Sequence, residues 1–523
     1  MCVSVMRQTN STNGGSPLVS RNSCKCKYRV RWFYSKGAFL VLVWVILLNI
    51  ACVSVFHVFH QRSDVSFVIS KWLLAIPFVS GLFGAVFSGW LADAKLGNYR
   101  VMKYCFVLLF FLCLLSSAFT LVPDITHYVY VVSVLYCIGV SLLIVAGVAC
   151  FVTSLQLGLD QMPDASSSNI TSFIAWFVFS IYAGVWIPTV SDLPIISDVL
   201  RISRSSYWVV QLYSLLPLLC MSVVLILDFL LAKKWLIIEP KSPQSFKTMY
   251  HVLKFAAKHK APLNRSALTY WEEDVPSRMD LGKSRYGGPF TTEEVEDVKT
   301  ILRLLSLCLT LWLLGCSLAF FHPLNYASVY PPDWKFYISR LLALFTYHHL
   351  WCGMVWTVFY EFVLYPVICN KLPSILRRIG IISLFITTLS VVFLILELLQ
   401  NNYGDKLVAI TYVTIVLNSI STGVLTMLLA STMLELVCAQ APYNMRGLFG
   451  GCMVLVLLSV LIIGQFSLNN TLTTYGVRVG ISLLGFILYC LLARWYKRRV
   501  RDEDYNVHGV VEEVYDRYLS AQH

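Results

Sequence analysis

Twelve apolar runs of membrane-crossing length punctuate this chain, at about 37–59, 66–93, 101–122, 127–156, 170–190, 207–232, 299–321, 343–369, 378–399, 406–437, 448–467 and 474–494. Hydrocarbon holds no water to satisfy a bare peptide N–H or C=O, so a run of about 20 apolar residues crosses it as an α-helix. The short alternating strands of a β-barrel are missing from the sequence. Composition agrees: of 523 residues, 57% are hydrophobic and 13% charged, against about a quarter charged in soluble domains. These features predict an all-α polytopic membrane protein with about twelve transmembrane helices.

The spacing of the runs sets the domain plan. A basic leader (1–36) precedes six spans (37–232); a polar connection (233–298) separates them from six more (299–494), and a tail (495–523) follows. Such paired six-helix bundles enclose a central site and rock to expose it alternately. Lysine and arginine concentrate in the leader, at Lys95 and Arg100, in the connection and in "RWYKRRVR". Twelve spans put all of these on one side, so the positive-inside rule predicts cytosolic termini. The leader carries no small-residue cleavage site, so the N-terminus is expected to be retained. Contact with an anionic inner leaflet accounts for the formal charge of +13, and no nucleic acid is needed. Asn469 is the one glycosylation acceptor in an outward loop, while Asn10, Asn169 and Asn264 fall elsewhere. Nothing in the sequence chooses between plasma and endolysosomal membranes.

The sixteen cysteines are scattered, mostly within spans, where a thiol packs as a small apolar group. "CKC" at Cys24–Cys26 could bind metal or accept palmitate, but two thiols without a second pair are a weak signal. Adjacent His348 and His349 point about 100° apart on a helix, which suits an interfacial position better than a metal pair; His57 and His60 read the same way. No Walker, His-Glu-x-x-His or Gly-x-Ser-x-Gly sequence is present. Neither cofactor, metal nor enzymatic activity is expected.

"GWLADAKLGNYR", from Gly89 to Arg100, joins the second and third spans. Glycines 89 and 97 permit close helix approach and a tight turn. Asp93 lies at the C-terminal end of its helix, which already carries partial negative charge. It therefore calls for an outside partner, a helix N-terminus or a base such as Arg100, in a lock that forms in one state and breaks in another. A simple topogenic turn is the alternative.

This turn resembles the signature turn of the major facilitator superfamily, in the form carried by the proton-coupled oligopeptide (peptide/nitrate) transporter family. "LGLDQMPDASSSNITSFIAWFVFSIYAGVW" is similar to that family's fourth-to-fifth helix region, with Asp160, Gln161, Ser172, Phe173, Trp176, Phe177, Phe179 and Gly184 in register. "YGGPFTTEEVEDVKT" resembles its approach to the seventh helix, and "MLELVCAQAPYNMRG" its tenth-helix segment. The resemblance implies two six-helix bundles and a cytosolic gate involving Gly89, Asp93, Gly97, Arg100, Asp160 and Gln161. It also implies that Glu435 contacts solute. Two departures stand out: "FLVLVWVILLNIACVSVF" lacks the family's first-helix Glu-x-x-Glu-Arg/Lys cluster, and Phe151 occupies the register of the fourth-helix lysine that faces a peptide carboxylate. Both count against the usual proton route and against peptide as substrate.

Among ionisable residues inside spans, Glu435 lies about 10 Å from its helix end at 1.5 Å per residue. Burial there costs about 2.5–3.5 kcal/mol or more in lipid, so it should face the interior or a wet cavity, as a solute or proton group or as a structural hydrogen-bonding partner. Glu361 is the second candidate, because Pro366 loosens the backbone one turn later. Asp228 and Glu397, near span ends, are expected to be solvated or snorkelling. Phe151 and Tyr182, the latter in "FVFSIY", are candidate solute contacts. "SFKTMYHVLKFAAKHK" reads as a basic amphipathic helix on the inner leaflet, with Phe246, Met249, Tyr250, Leu253 and Ala257 on its apolar face. Thr291 and Glu294 form a capping box. The reading is a secondary transporter for a small organic solute, peptide-like or anionic, either proton-coupled or facilitative. The alternative is a non-transporting membrane sensor or scaffold of the same family.

Overall fold

A helix supplies every interior backbone polar group with an intramolecular partner, and the apolar runs fold accordingly. The computed structural model describes residues 35–62, 67–120, 129–162, 167–191, 207–238, 245–259, 277–319, 349–368, 373–403, 408–442, 445–465 and 471–496. Six helices form the N-terminal bundle: α1 (Lys36–Arg62), α2 (Phe67–Leu91), α3 (Asn98–Thr120), α4 (Val129–Asp160), α5 (Ser167–Ser191) and α6 (Tyr207–Leu227). A connecting helix follows, α7 (Ser245–Lys258). The second bundle comprises α8 (Thr292–Ala319), α9 (349–368), α10 (Ile375–Tyr403), α11 (Val408–Gln440), α12 (Arg446–Gln465) and α13 (Thr471–Trp495). Eleven of the described helices are long and apolar enough to cross a membrane, and α12 contributes a shorter apolar stretch.

Each bundle has its own core. Trp44, Phe106, Phe173, Phe177 and Met221 are fully buried in the first; Leu304, Leu311, Ile379 and Phe449 anchor the second. Large apolar side chains also face outward, among them Phe83 at 74% and Phe229 at 81% exposure. A soluble protein would avoid such a surface, but lipid accepts it.

Three short π-helical turns interrupt the helices, at Ala92–Leu96, Asp228–Ala232 and Tyr360–Leu364. Each carries a buried carboxylate, Asp93, Asp228 and Glu361 respectively. π turns cluster at functional sites because the extra residue re-aims a side chain. Pro366 supplies no N–H, which leaves the Phe362 carbonyl without its α-helical donor just where the third turn occurs.

Ser35 donates to the Gln161 carbonyl at the end of α4 (3.0 Å), and Tyr496 donates to Gln440 at the end of α11 (3.1 Å). The described chain thus begins and ends on one face, called here the terminal face. Against this face packs the connection. Val252 and Ala256 of α7 are buried, with Met249 and Leu253 beside them, against Met279, Phe290, Val295 and Val298. The α7 apolar stripe is therefore rotated from the expected one, with Tyr250 and Ala257 exposed, and it is covered by protein rather than lipid. The side chains left in water are Lys247, His251, Lys254 and Lys258. Thr291 and Glu294 form the expected reciprocal cap: the Thr291 N–H donates to Glu294 Oε2 (2.9 Å) and the Glu294 N–H to Thr291 Oγ1 (3.3 Å).

Candidate functional site

Near the terminal face the bundles meet through small residues that bring backbones together. A Cβ on Gly89 of α2 would lie 2.2 Å from the Gly447 carbonyl oxygen of α12, and one on Gly451 would lie 2.3 Å from that of Ala85. Only glycine allows this approach. The close contact delivers Asp93 to the start of α12, where its Oδ2 accepts the Leu448 N–H at 2.8 Å. The N-terminal end of a helix presents unsatisfied N–H groups and partial positive charge, so the partner Asp93 called for is a helix N-terminus. Arg100 is exposed and makes no ion pair among the described residues. Gly97 turns the chain between α2 and α3 with φ +81° and nothing within 4 Å of its Cβ position; its role is conformational.

Gln161 and Asp160 have the following partners. Gln161 Nε2 donates to the carbonyls of Leu157 (3.1 Å) and Ile237 (3.0 Å), and its Oε1 accepts the Ile237 N–H (2.7 Å). Asp160 accepts from Asn98 Nδ2 (3.1 Å). Gln161 thus ties the end of α4 to the start of the connection, and Asp160 ties it to the start of α3. The bridging amide from α4 is Gln156, whose Nε2 donates to the Arg446 carbonyl at 3.2 Å.

Two carboxyl groups make further contacts between the bundles. Ser172 of α5 donates to Glu361 Oε2 of α9 at 2.7 Å, and Thr171 donates to Glu435 Oε1 of α11 at 2.9 Å. Glu435 also pairs with Arg378 Nη2 of α10 at 2.5 Å, both side chains being mostly buried. Adjacent hydroxyls on α5 thus hold two carboxylates of the opposite bundle. Around Arg378 and Glu435 lies a cavity of about 300 Å³, bordered by Trp356, Tyr360, Tyr365 and Ser431. Farther along α5, Tyr182 donates to Thr426 Oγ1 at 3.0 Å, and the Trp186 and Trp351 rings lie 5.6 Å apart.

Residues of α1, α2, α4, α5 and α12 line a half-open cavity of about 400 Å³. Phe151 borders it, with its ring 5.5 Å from that of Phe177. Neither Glu361, Glu435 nor Tyr182 lines this space.

Asp228 and Glu397, expected in solvent, are buried. Tyr99 donates to Asp228 Oδ1 at 2.9 Å. Arg378 and the buried Arg478, whose guanidinium lies 5.5 Å from the Phe393 ring, had escaped sequence reading. Arg378 had been legible only as one of two basic residues flanking a span. No group of three potential metal ligands occurs among the described residues. Asn469, His348, Cys24 and Cys26 lie outside them.

A scan against protein-family models finds no match. Solved structures do resemble the chain. The POT family transporter PepTSo, seen in an in meso crystal structure, is 17% identical, with TM-score 0.60 over 88% of this chain and 98% of that one. A bacterial homologue of the iron transporter ferroportin, in its outward-facing state with soaked iron, is 14% identical, with TM-score 0.56 over 87% and 99%. The proton:xylose symporter XylE, of the major facilitator superfamily, is 12% identical, with TM-score 0.51 over 89% and 97%. At these identities the likeness establishes the fold: this multi-pass membrane protein has the major facilitator architecture of two six-helix bundles.

Proposed function

We propose that the chain is a secondary transporter that moves a small organic solute by alternating access. One observation carries the reading: the bonds that close the terminal face all cross between bundles. Separating the bundles as rigid bodies breaks Asp93–Leu448, Gln156–Arg446, Thr171–Glu435 and Ser172–Glu361 together. Arg378–Glu435 lies within one bundle and survives. Opening therefore uncovers a paired Glu435 and leaves Glu361 without the Ser172 hydroxyl.

A carboxylate whose surroundings change with the state is the requirement for coupling to protons. Glu361 meets it better than Glu435, which keeps its arginine. The sequence resemblance to the oligopeptide transporter family supports the carrier reading. The terminal face is proposed to be cytosolic, with exposed Lys247, Lys254 and Lys258 facing the anionic inner leaflet.

The test is uptake of a solute panel into proteoliposomes with and without an inward proton gradient. Glu361→Gln should keep downhill flux and lose gradient-driven accumulation. Wild-type uptake no greater than that of empty liposomes, for every solute, would favour a sensor or scaffold instead.

A further inference from the structure

The central cavity has a chemistry distinct from that of the gate. Its walls include Val45, Leu48, Val53 and Phe56 of α1, Leu143 and Val148 of α4, and Val454 and Leu457 of α12. No Asp, Glu, Lys, Arg or His lines it among the described residues. The carboxyl groups near the bundle interface are engaged elsewhere: Asp93 by α12, Glu435 by Arg378, Glu361 by Ser172. An ionised solute entering this space would lose its hydration and meet no counter-charge, which is strongly unfavourable.

The few polar atoms on the wall share one property. Asn49 donates its Nδ2 to the Val45 carbonyl at 2.7 Å, and its Oδ1 accepts from none of the described residues. Ser154 donates its hydroxyl to the Phe151 carbonyl at 3.0 Å, which leaves the oxygen lone pairs as its available function. Both therefore offer an acceptor, and Asn49 keeps its second Nδ2 hydrogen as a donor. At about 400 Å³ the cavity is at the lower end of small-molecule sites, which run from about 300 to 1,000 Å³.

We infer that the cavity binds an uncharged solute with a compact apolar body and one neutral hydrogen-bonding group, a hydroxyl or an amide, directed at Asn49 and Ser154. This rests on the carrier reading and narrows it: neither a zwitterionic peptide nor a small anion suits these walls. The flanking glycine matters too. Gly147 borders the cavity, and a Cβ there would only touch Cys52 Sγ at 3.4 Å, so a larger side chain at this position would occupy the solute's space.

Three probes share one apolar cage and differ in charge: 1-adamantanol, 1-adamantanecarboxylate and 1-adamantylammonium. Their effect on the thermal unfolding midpoint of the purified full-length chain in detergent is followed by tryptophan fluorescence. The alcohol should raise the midpoint and bind at least about tenfold more tightly than either ion. Asn49→Leu should weaken alcohol binding by up to about tenfold, the value of one hydrogen bond. Gly147→Leu should abolish it; Val454→Phe, which fills the cavity from the other bundle, serves if Gly147→Leu does not fold.

Equal shifts by all three probes that survive both filling variants would place the cage on the detergent-covered surface and overturn the assignment. Ion binding that matches the alcohol and is lost on filling would overturn the solute class, and no shift from any probe would overturn it as well. In either case the carrier reading is judged separately, by the distance between nitroxides at positions 95 and 439: two values keep it, and a single value removes it.

Discussion

Asp93 Oδ2 accepts the backbone N–H of Leu448 at 2.8 Å, joining residues 355 positions apart in sequence and tying the end of one bundle's second helix to the start of the other bundle's fifth. A carboxylate at a helix N-terminus contributes about 0.3–1 kcal/mol, and up to about 2 when partly buried. Asp93→Asn keeps the shape and removes the charge. We expect it to shift the closed-to-open ratio at the terminal face by roughly fivefold toward open, as 1 kcal/mol implies. The distance between nitroxides at positions 95 and 439 would report this.

Gly89 and Gly97 should fail in different ways when enlarged. Gly89→Ala puts a methyl 2.2 Å from the Gly447 carbonyl, so the bundles must part and the gate should open. Gly97→Ala meets open space but keeps a φ of +81°, a strain of about 1–3 kcal/mol. It should lower the unfolding midpoint and leave the gate closed. The same distance measurement beside a thermal melt separates the two.

Glu435→Gln leaves Arg378 mostly buried without its carboxylate. Removing one partner of a buried pair costs about 3–5 kcal/mol, and the residual exposure of 16% and 10% places this pair at the low end. The variant should fold with a reduced midpoint, reach the membrane and lose uptake. Glu435→Leu combined with Arg378→Leu should regain stability without regaining transport. Wild-type uptake by Glu435→Gln would remove Glu435 from the mechanism.

The connection is fastened by Asp280, Lys283, Glu296 and Lys299, with Lys283 Nζ 2.6 Å from both Asp280 and Glu296. Burial pushes the Asp280 carboxyl up, but hydrogen bonds from Lys283, Lys299 and Ser277 outweigh it and hold the group well below the usual carboxylate range. Burial likewise pushes Lys283 down, and its bonds to Asp280 and Glu296 more than compensate, so it is raised. A lowered acid stabilises the fold above its unfolded value of about 3.9 and loses that contribution as pH falls toward its own lower value. A raised lysine contributes below about 10.4 and loses that only above it. Amide exchange at 277–290 should therefore stay protected from pH 5 to 9 once corrected for intrinsic rates, and Lys283→Ala should remove the protection across that window.

Helix number and order were legible because lipid forces each span to satisfy its own backbone, and a local cap such as Thr291–Glu294 is written within four residues. Azimuth was not. Asp228 and Glu397 were placed correctly along their helices, yet which way each side chain points depends on the neighbouring helix, and both are buried. The Arg378–Glu435 pair joins residues 57 apart, and nothing local distinguishes Arg378 from Arg377 beyond the 100° between adjacent helical positions. Gln161 bonds to Ile237 in the connection, a contact that no local pattern announces. Glu435 is buried, with Thr171 of the other bundle as its partner.

If the bundles rock about the closed terminal face, a distance across that face must take two values. Nitroxides attached through keto-bearing unnatural residues at Lys95 and Ala439, both exposed and on opposite bundles, read this distance while leaving the sixteen native cysteines untouched. In liposomes we expect two populations, with Asp93→Asn enriching the longer one. A single short distance in wild type and in Asp93→Asn alike would contradict alternating access for this chain.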